Sequence, residues 1–376
     1  MVNKKNSKNF LELSSFASVS KEKYNPVSGI DFPCVELEHI EKETGVLKSH
    51  TQSLLQASIK NKFHSGDVLF GKLRPNLRKY AQPDFDGVCS TEIWVINANP
   101  QKCTKDFLFY LVQSEKFIQT ACKTTGSKMP RADWELLSGE PFNLPPLEEQ
   151  RKIATILRTW DDAIEKIDLL IGKKKYEKQL FQAKFFNRKK GEAETLQLRN
   201  VANKIGSGST PRGGAEIYIS SGIPFIRSQN VLFGSLDLSN VVFISDGIHN
   251  SMRGTWTQPG DVLLNITGAS IGRSCTLPDN FSTSNVNQHV CIIRLTEKYD
   301  ANFLSQYLNS SFGQFQINSA QGGGSRQGLN FEQIGDFQIP AIDLHQQKIF
   351  ASVLQIWDDA VNKLYHSPYA ASSWAL

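Results

Sequence analysis

Cationic and amide side chains that could bind a nucleic acid are concentrated in a few loops of this 376-residue sequence. Lysine and arginine contact phosphates, while arginine, asparagine and glutamine also form paired hydrogen bonds with purine edges. The N-terminal candidates are Lys72, Arg74, Asn76, Arg78, Lys79, Lys128 and Arg131. The C-terminal candidates are Arg212, Arg227, Gln229, Asn230, Arg273, Arg326 and Gln327. Any one of them alone is more simply a solvated loop residue, but each set as a group favours contact with a duplex.

Catalytic patterns are missing from the sequence. GSGSTPRGG lacks the lysine and hydroxyl that end a phosphate-binding loop. Asn143-Leu144-Pro145-Pro146 only resembles an amino-methyltransferase motif, and a nuclease site at Glu92 would need a following lysine, whereas Ile93 and Trp94 follow. His289 has no evident nucleophile or base beside it and is more simply a polar residue at a strand end. We therefore expect no catalytic residue, metal site or cofactor in this chain.

Length and composition indicate a globular protein of two or three domains, with 40% apolar and 21% charged residues. No apolar run approaches the roughly 18 residues of a membrane span, and the polar start MVNKKNSKNF resembles no secretory signal. The six cysteines include no CxxC pair, which favours reduced thiols over a zinc site. These features predict a cytoplasmic protein without a membrane partner.

Positive charge is concentrated in residues 147–190, which hold twelve Lys or Arg and seven Asp or Glu. This excess of five equals the net charge of +5 for the whole chain. Within the segment, residues 172–190 contain eight basic residues and the single acid Glu177. Such a block is either a solvated helix face or a surface for a polyanionic partner.

The sequence contains one unit written twice. Residues 147–167 align without a gap on residues 344–364, at a shift of 197. GDVLF and GDVLL form a fainter match upstream, and in each copy short β-like runs precede a short helix, a Gly-rich loop and a long helix. This order predicts a duplicated domain followed by a helix. The identical pairs are Leu147 and Leu344, Gln150 and Gln347, Ala154 and Ala351, Leu157 and Leu354, Trp160 and Trp357, Asp161 and Asp358, Asp162 and Asp359, Ala163 and Ala360, and Lys166 and Lys363.

Both long helices carry an apolar stripe at steps of three and four residues. Matching stripes in one chain predict that the two helices pack on each other as an antiparallel pair. The residues predicted for this pairing are Ile153, Leu157, Trp160, Ile164 and Ile167 on the first helix, and Phe350, Leu354, Trp357, Val361 and Leu364 on the second. The adjacent aspartates in each WDDA run diverge by about 100° around the helix, so they predict a surface or partner-facing role rather than a metal site.

The strings GDVLFGKLRPNLRKYA, NLPPLEEQRKIA and GIPFIRSQNV, together with the repeated helices, resemble the specificity subunit of type I restriction-modification systems. The resemblance covers about residues 10 to 365. It implies a mixed α/β fold, with two pseudo-twofold-related target-recognition domains separated by two long antiparallel helices. The implied segments are recognition domain 1 at 1–146, a central spacer helix at 147–190, recognition domain 2 at 191–342, and a C-terminal helix and tail at 343–376.

The same resemblance implies that the chain reads a bipartite site on double-stranded DNA, one domain per half-site. It implies two methyltransferase subunits and one restriction and translocation subunit as partners, and these hold S-adenosylmethionine, ATP and Mg. One departure from the family is Pro368 with the tail HSPYAASSWAL, which predicts a shortened second helix. Two alternatives stay open: a non-enzymatic adaptor whose paired domains bind another ligand, and a self-sufficient nuclease or methyltransferase, which the missing motifs disfavour.

Overall fold

A computed structural model describes residues 9–123, 129–192, 194–321 and 328–365. The chain divides into two compact units, Met1–Ala163 and Ile164–Leu376. The division falls within one long helix, so each unit contains part of that helix. Lys128, Arg326, Gln327 and the tail that begins at His366 lie outside the described residues.

The first unit contains eleven described strands and three short helices before the long helix. The elements are β1 (Phe10–Glu12), β2 (Ala17–Val19), β3 (Lys23–Tyr24), β4 (Pro33–Val35), β5 (Thr51–Gln52), β6 (Lys60–Phe63), β7 (Val68–Gly71), β8 (Tyr80–Ala81), β9 (Gly87–Cys89), β10 (Ile93–Ala98), α1 (Lys105–Leu111), α2 (Glu115–Ala121), α3 (Trp134–Ser138), β11 (Pro141–Asn143) and α4 (Leu147–Glu192). They form sheets in the orders β2-β10-β7-β8, β3-β6-β9-β4-β5 and β1-β11.

The four-stranded sheet of the first unit is buried on both faces. Side chains alternate along a strand, so Phe70 of β7 and Trp94 of β10 join the core beneath the helices. Leu69 and Val95 form the neighbouring pair on the same two strands. Their side chains pack on the opposite face of the sheet, with Phe63 of the five-stranded sheet. This sheet is therefore the central layer between the helices and the second sheet.

The second unit repeats this plan. The elements are β12 (Thr195–Gln197), β13 (Ala202–Ser207), β14 (Ile223–Ile226), β15 (Val242–Ile244), α5 (Asp246–Ser251), β16 (Val262–Asn265), β17 (Ser274–Thr276), β18 (Asn285–Val286), β19 (Val290–Leu295), α6 (Ala301–Asn309), α7 (Ser311–Ala320), α8 (Phe331–Gly335), β20 (Gln338–Pro340) and α9 (Leu344–Tyr365). They form sheets in the orders β13-β19-β16-β17, β15-β14-β18 and β12-β20.

The two units share one framework and differ in their outer sheets. The order β13-β19-β16-β17 repeats β2-β10-β7-β8, with antiparallel pairing throughout. In the outer sheets β14 pairs parallel with β18 and antiparallel with β15, as β4 pairs with β9 and β5. The first unit extends these three strands by β6 and β3. The prediction of a mixed α/β fold with two domains and a long helix between them is confirmed.

The repeated GDVL motif has the same role in both units. Gly66 and Gly260 have φ values of 78° and 76°, in the left-handed region that favours glycine. The carboxylate of Asp67 accepts a hydrogen bond from the backbone N–H three residues earlier at 2.9 Å, and Asp261 accepts the equivalent bond at 2.7 Å. Each motif therefore closes the turn that leads into a central strand.

Within the second unit, α9 packs antiparallel to the C-terminal half of α4. The rings of Phe185 and Phe350 stack with centroids 4.0 Å apart, and the rings of Phe181 and Trp357 lie 5.2 Å apart. Closer to the start of α4, Lys175 donates to the hydroxyl of Tyr365 at 2.7 Å. Residue numbers fall along α4 while they rise along α9, which is the antiparallel arrangement.

The partner segment on α4 differs from the one predicted. The contacts made by α9 come from residues 175–186, whereas the prediction placed residues 153–167 in the pairing. Ile153 instead packs against the core of the first unit. The predicted residues Phe350, Leu354 and Trp357 do pack together with Phe181, Phe185 and Phe186 in the core of the second unit.

Candidate nucleic-acid interface

The loop that follows β7 is held in a strained conformation by the segment around Arg131. Arg74 and Arg78 have φ values of 54° and 48°, which cost non-glycine residues on the order of 1 kcal/mol or more each. The Arg74 N–H donates to the carbonyl oxygen of Pro130 at 2.8 Å, and Leu73 forms a β-bridge with Arg131. Pro75 is buried, and its ring fixes the φ angle of the turn. The loop is therefore an ordered turn that is fixed by contacts with the rest of the first unit.

Arg74 and Asn76 project from this turn as exposed side chains, and Lys72 is half-buried. In the part of the chain that the structure describes, none of these three side chains has a hydrogen bond or ion pair. Their donors are accordingly available to phosphate oxygens and base edges. They form the cationic centre of the candidate interface on the first unit.

Three other predicted contacts of the first unit are engaged within the protein. Arg78 pairs with the carboxylate of Glu115, and Lys79 donates to the carbonyl oxygen of Leu37. Burial lowers the pKa of the Lys79 ammonium, while the hydrogen bond to Glu115 raises the pKa of Arg78. Arg131 pairs with Glu92 at 3.0 Å. A nucleic acid would have to share or displace these partners.

Asn230, another of the predicted DNA contacts, is engaged within the protein. Its side chain is buried, and its oxygen accepts a hydrogen bond from the Arg227 N–H at 2.9 Å. Its amide nitrogen donates to the carbonyl oxygen of Asp237 at 2.9 Å. The side chain closes a local turn, so a base could reach it only after exchange of these partners, and its contact with DNA stays a prediction.

Arg227 is half-buried rather than fully presented. Its Nη2 donates to the carbonyl oxygen of Asn240 at 3.1 Å, and its guanidinium lies 5.9 Å from the ring centre of Tyr218. Its Nε is buried and has no hydrogen-bond partner among the described residues. Arg212 and Gln229 are exposed, and Arg273 is half-buried. These four remain candidate contacts of the second unit.

Glu92 and His289 are site residues that motif searching did not select. Each residue directly precedes the central strand of its unit, and the two positions differ by the repeat shift of 197. The carbonyl oxygen of Glu92 accepts from the Lys72 N–H at 2.9 Å, and that of His289 accepts from the Ile266 N–H at 3.0 Å. The shift of 197 was the available signal, because it places both residues at one structural position.

The basic block on α4 is used in part for helix pairing. Lys178 forms an ion pair with Asp358 at 2.6 Å, and Lys174 pairs with Glu177 at 3.0 Å. Lys173 and Lys184 are exposed. Lys175 and Lys178 therefore serve the contact between α4 and α9, Lys174 is paired within α4, and the exposed lysines remain open to either interpretation.

The WDDA aspartates act as hydrogen-bond acceptors. Asp161 accepts from the hydroxyl of Tyr110 at 2.7 Å, and Asp358 accepts from the amide of Gln306 at 2.9 Å. Burial raises the pKa of Asp161. The described residues contain no group of three or more His, Cys, Asp or Glu arranged to hold a metal ion. These carboxylates connect each long helix to the short helix before it.

Burial keeps the thiols of two buried cysteines protonated. Burial raises the pKa of Cys34 to about 11 and that of Cys275 to about 12. A buried, protonated thiol is a poor nucleophile and a poor metal ligand. None of the helices described is long and apolar enough to cross a bilayer.

The curated relatives of this chain include specificity subunits of type I restriction enzymes. The specificity subunit of the type I restriction enzyme MjaVIII from Methanocaldococcus jannaschii is 26% identical over 275 residues. The alignment covers 68% of this chain and 64% of that relative, so the chain spans less than two thirds of the relative's length.

Two solved structures have a similar fold. The S subunit of a type I restriction-modification system from M. genitalium has a TM-score of 0.62 at 14% identity, covering 99% of this chain and 95% of that chain. A structure that describes complex assembly and conformational transition of a type I restriction-modification system has a TM-score of 0.58 at 21% identity, with coverages of 97% and 93%.

A family model described as the type I restriction modification DNA specificity domain matches this chain twice, at residues 5–171 and 190–366. The two matches together span most of the sequence, and each includes one of the repeated β-rich halves and its following helix. The chain therefore belongs to the family of type I restriction-modification DNA specificity proteins and carries two copies of the specificity domain.

Proposed function

We propose that this chain reads a bipartite DNA sequence, with one half-site bound by each unit. The observation that carries the proposal is the repeated four-stranded framework, which supports a different outer sheet and different loop side chains in each unit. A shared scaffold with divergent surfaces suits two domains that do one task on two different sequences. Arg74, Asn76 and Lys72 are the proposed contacts of the first unit, and Arg212, Arg227, Gln229 and Arg273 those of the second. Lys128, Arg326 and Gln327 complete the sets. Arg78 and Lys79 contribute after exchange of their partners, and Arg131 contributes with the donors that Glu92 leaves free.

The chain is proposed to have no catalytic activity alone and to act within a complex of two methyltransferase subunits and a restriction and translocation subunit in the cytoplasm. S-adenosylmethionine, ATP and Mg would belong to those subunits. Exposed apolar side chains on α4 support a docking role for this helix, because Ile156 is 59% exposed and Leu169 is 66% exposed. The adaptor alternative shares this helix surface but requires no DNA contact.

Salt dependence of duplex binding separates the two functions. For the assembled complex, log K for DNA should fall with log salt by about 0.9 for each phosphate contact. Arg74→Ala should weaken binding and reduce that slope by about 0.9. The exposed Arg74 side chain has no hydrogen bond or ion pair among the described residues, so it is available to contact one phosphate. Arg227→Ala should weaken recognition of the other half-site only. Binding is measured by fluorescence anisotropy at salt concentrations between about 50 and 200 mM, a range over which DNA affinity changes strongly.

Lys152→Ala is the matched control, because this exposed lysine lies on α4 and pairs with Glu148. It should leave both affinity and slope unchanged. An affinity for DNA that does not depend on salt, or that Arg74→Ala and Arg227→Ala leave unaltered, would favour the adaptor.

A further inference from the structure

We propose that Glu92 is a positioning residue that orients Arg131 to read a guanine in the half-site bound by the first unit. This inference rests on the proposed function and adds a specificity-determining pair to it. The pair joins the residue that precedes β10 to the last residue of the segment TTGSKMPR.

The backbone brings the two side chains together. The Lys72 N–H donates to the carbonyl oxygen of Glu92 at 2.9 Å, and the Ala132 N–H donates to the carbonyl oxygen of Lys72 at 2.8 Å. Lys72 thus lies between the Glu92 and Arg131 segments and bonds to both. This junction lies directly beside the exposed loop that carries Arg74 and Asn76.

The carboxylate of Glu92 occupies one edge of the Arg131 guanidinium. Nε donates to Oε2 at 3.0 Å, and Nη2 donates to Oε1 at 3.3 Å. A guanidinium has five N–H donors in a planar fork, so three remain. Two of the three, one on Nη1 and one on Nη2, point the same way along the adjacent edge. That spacing matches the O6 and N7 acceptors of guanine in the major groove.

Exposure supports a role toward a ligand rather than in stability. The Arg131 side chain is 55% exposed and the Glu92 side chain 29%. A surface ion pair of this kind contributes little to folding. Holding one edge of a long, flexible side chain nevertheless fixes the direction of the other edge, which reduces the ordering needed when a base binds.

Comparison with the second unit separates the backbone hydrogen bonds that both units share from the side chains that differ. The Ile266 N–H donates to the carbonyl oxygen of His289, and the Leu329 N–H donates to that of Ile266 at 2.9 Å, so the backbone bonds are the same. The side chains differ, because Gly328 stands where the first unit has Arg131, and the imidazole of His289 instead contacts the hydroxyl of Thr267. The backbone hydrogen bond that both units share uses only the carbonyl oxygen of Glu92. The Glu92 carboxylate is therefore free to take part in DNA recognition.

The test uses the assembled complex and its methylated motif, with each guanine of the motif replaced in turn. Arg131→Ala should reduce discrimination at one guanine of one half-site by roughly 5- to 100-fold, the range for a bidentate contact to guanine. Glu92→Gln should reduce discrimination at that same guanine several-fold, and Glu92→Asp should restore part of it. Discrimination in the other half-site should stay at the wild-type value, which also reports that the complex is folded.

The double variant Glu92→Gln with Arg131→Ala decides how Glu92 acts. If Glu92 works through Arg131, the double variant should discriminate no worse than Arg131→Ala alone. Wild-type discrimination by Glu92→Gln, or a further loss in the double variant, would overturn the proposal. A wild-type complex without any sequence preference would instead contradict the proposed function itself, and would be seen before any variant is made.

Discussion

Two buried glutamines show why particular residues recur in the repeat. The side-chain oxygen of Gln150 accepts from the Thr104 N–H at 2.9 Å, and its nitrogen donates to the carbonyl oxygen of Lys102 at 2.7 Å. The oxygen of Gln347 likewise accepts from the Asp300 N–H at 2.7 Å. Thr104 and Asp300 are the N-cap residues of α1 and α6. Each glutamine therefore fastens the start of a long helix to the start of a short one.

Gln150→Ala should destabilise the first unit by about 2–3 kcal/mol, because it leaves buried backbone donors and acceptors without partners. The measurement is the midpoint of urea unfolding. The adjacent Glu149→Ala is the control, since Glu149 is exposed and its loss should shift the midpoint little. Equal midpoints for the two variants would contradict the role assigned to Gln150.

Residue types alone could not distinguish a base-reading amide from a structural one. Asn230 lies between residues with DNA-binding chemistry, yet its side chain closes a turn, whereas Asn76 in a similar setting is exposed. The difference depends on the backbone fold of each loop. The Asp of GDVL was equally ambiguous in sequence, and its role as a turn-closing acceptor became clear only from the contacts of both copies.

At the scale of elements, the pairing of α4 with α9 depends on an aromatic cluster and an ion pair. Phe350 is 2% exposed and has the rings of Phe181, Phe185 and Phe186 within about 6 Å of its own, at 5.6, 4.0 and 5.1 Å. Beside it, Lys178 and Asp358 form a half-buried ion pair. Removing one partner of such a contact leaves either a cavity or an uncompensated charge.

Phe350→Ala should lower the free energy of unfolding of the second unit by about 3–5 kcal/mol and increase amide exchange along α9. Phe315→Ala is the matched control, since Phe315 is 72% exposed and should be nearly neutral. The readouts are urea unfolding and hydrogen–deuterium exchange. Unchanged protection of α9 in Phe350→Ala would show that the aromatic cluster does not hold the helix.

Sequence periodicity predicted both long helices and their antiparallel pairing, but it selected the wrong segment of α4. The apolar stripe from Ile153 to Ile167 matches the repeat, so it was the natural partner for α9. The aromatic residues at 181, 185 and 186 also follow helical spacing, but they lie in the basic segment, where charge dominated the interpretation. Identity between repeats marks an equivalent position in each unit, which is different from a contact between them.

At the scale of the whole molecule, duplication separates what is constant from what varies. Each unit keeps the four-stranded sheet and its GDVL turn, the glutamine that fastens the long helix and the junction before the central strand. The outer sheets and the side chains at the junction differ between the units. This division is the physical basis for proposing two readers of different half-sites on one scaffold.

The most direct test of this account is to co-express the chain with its candidate methyltransferase and to map methylated bases across the host genome. The account predicts a two-part motif with a fixed gap, which is absent without this chain and altered in one half only by Arg74→Ala. A soluble complex that methylates without a sequence motif, or one that reads a single continuous motif, would contradict the claim that the two units read separate half-sites.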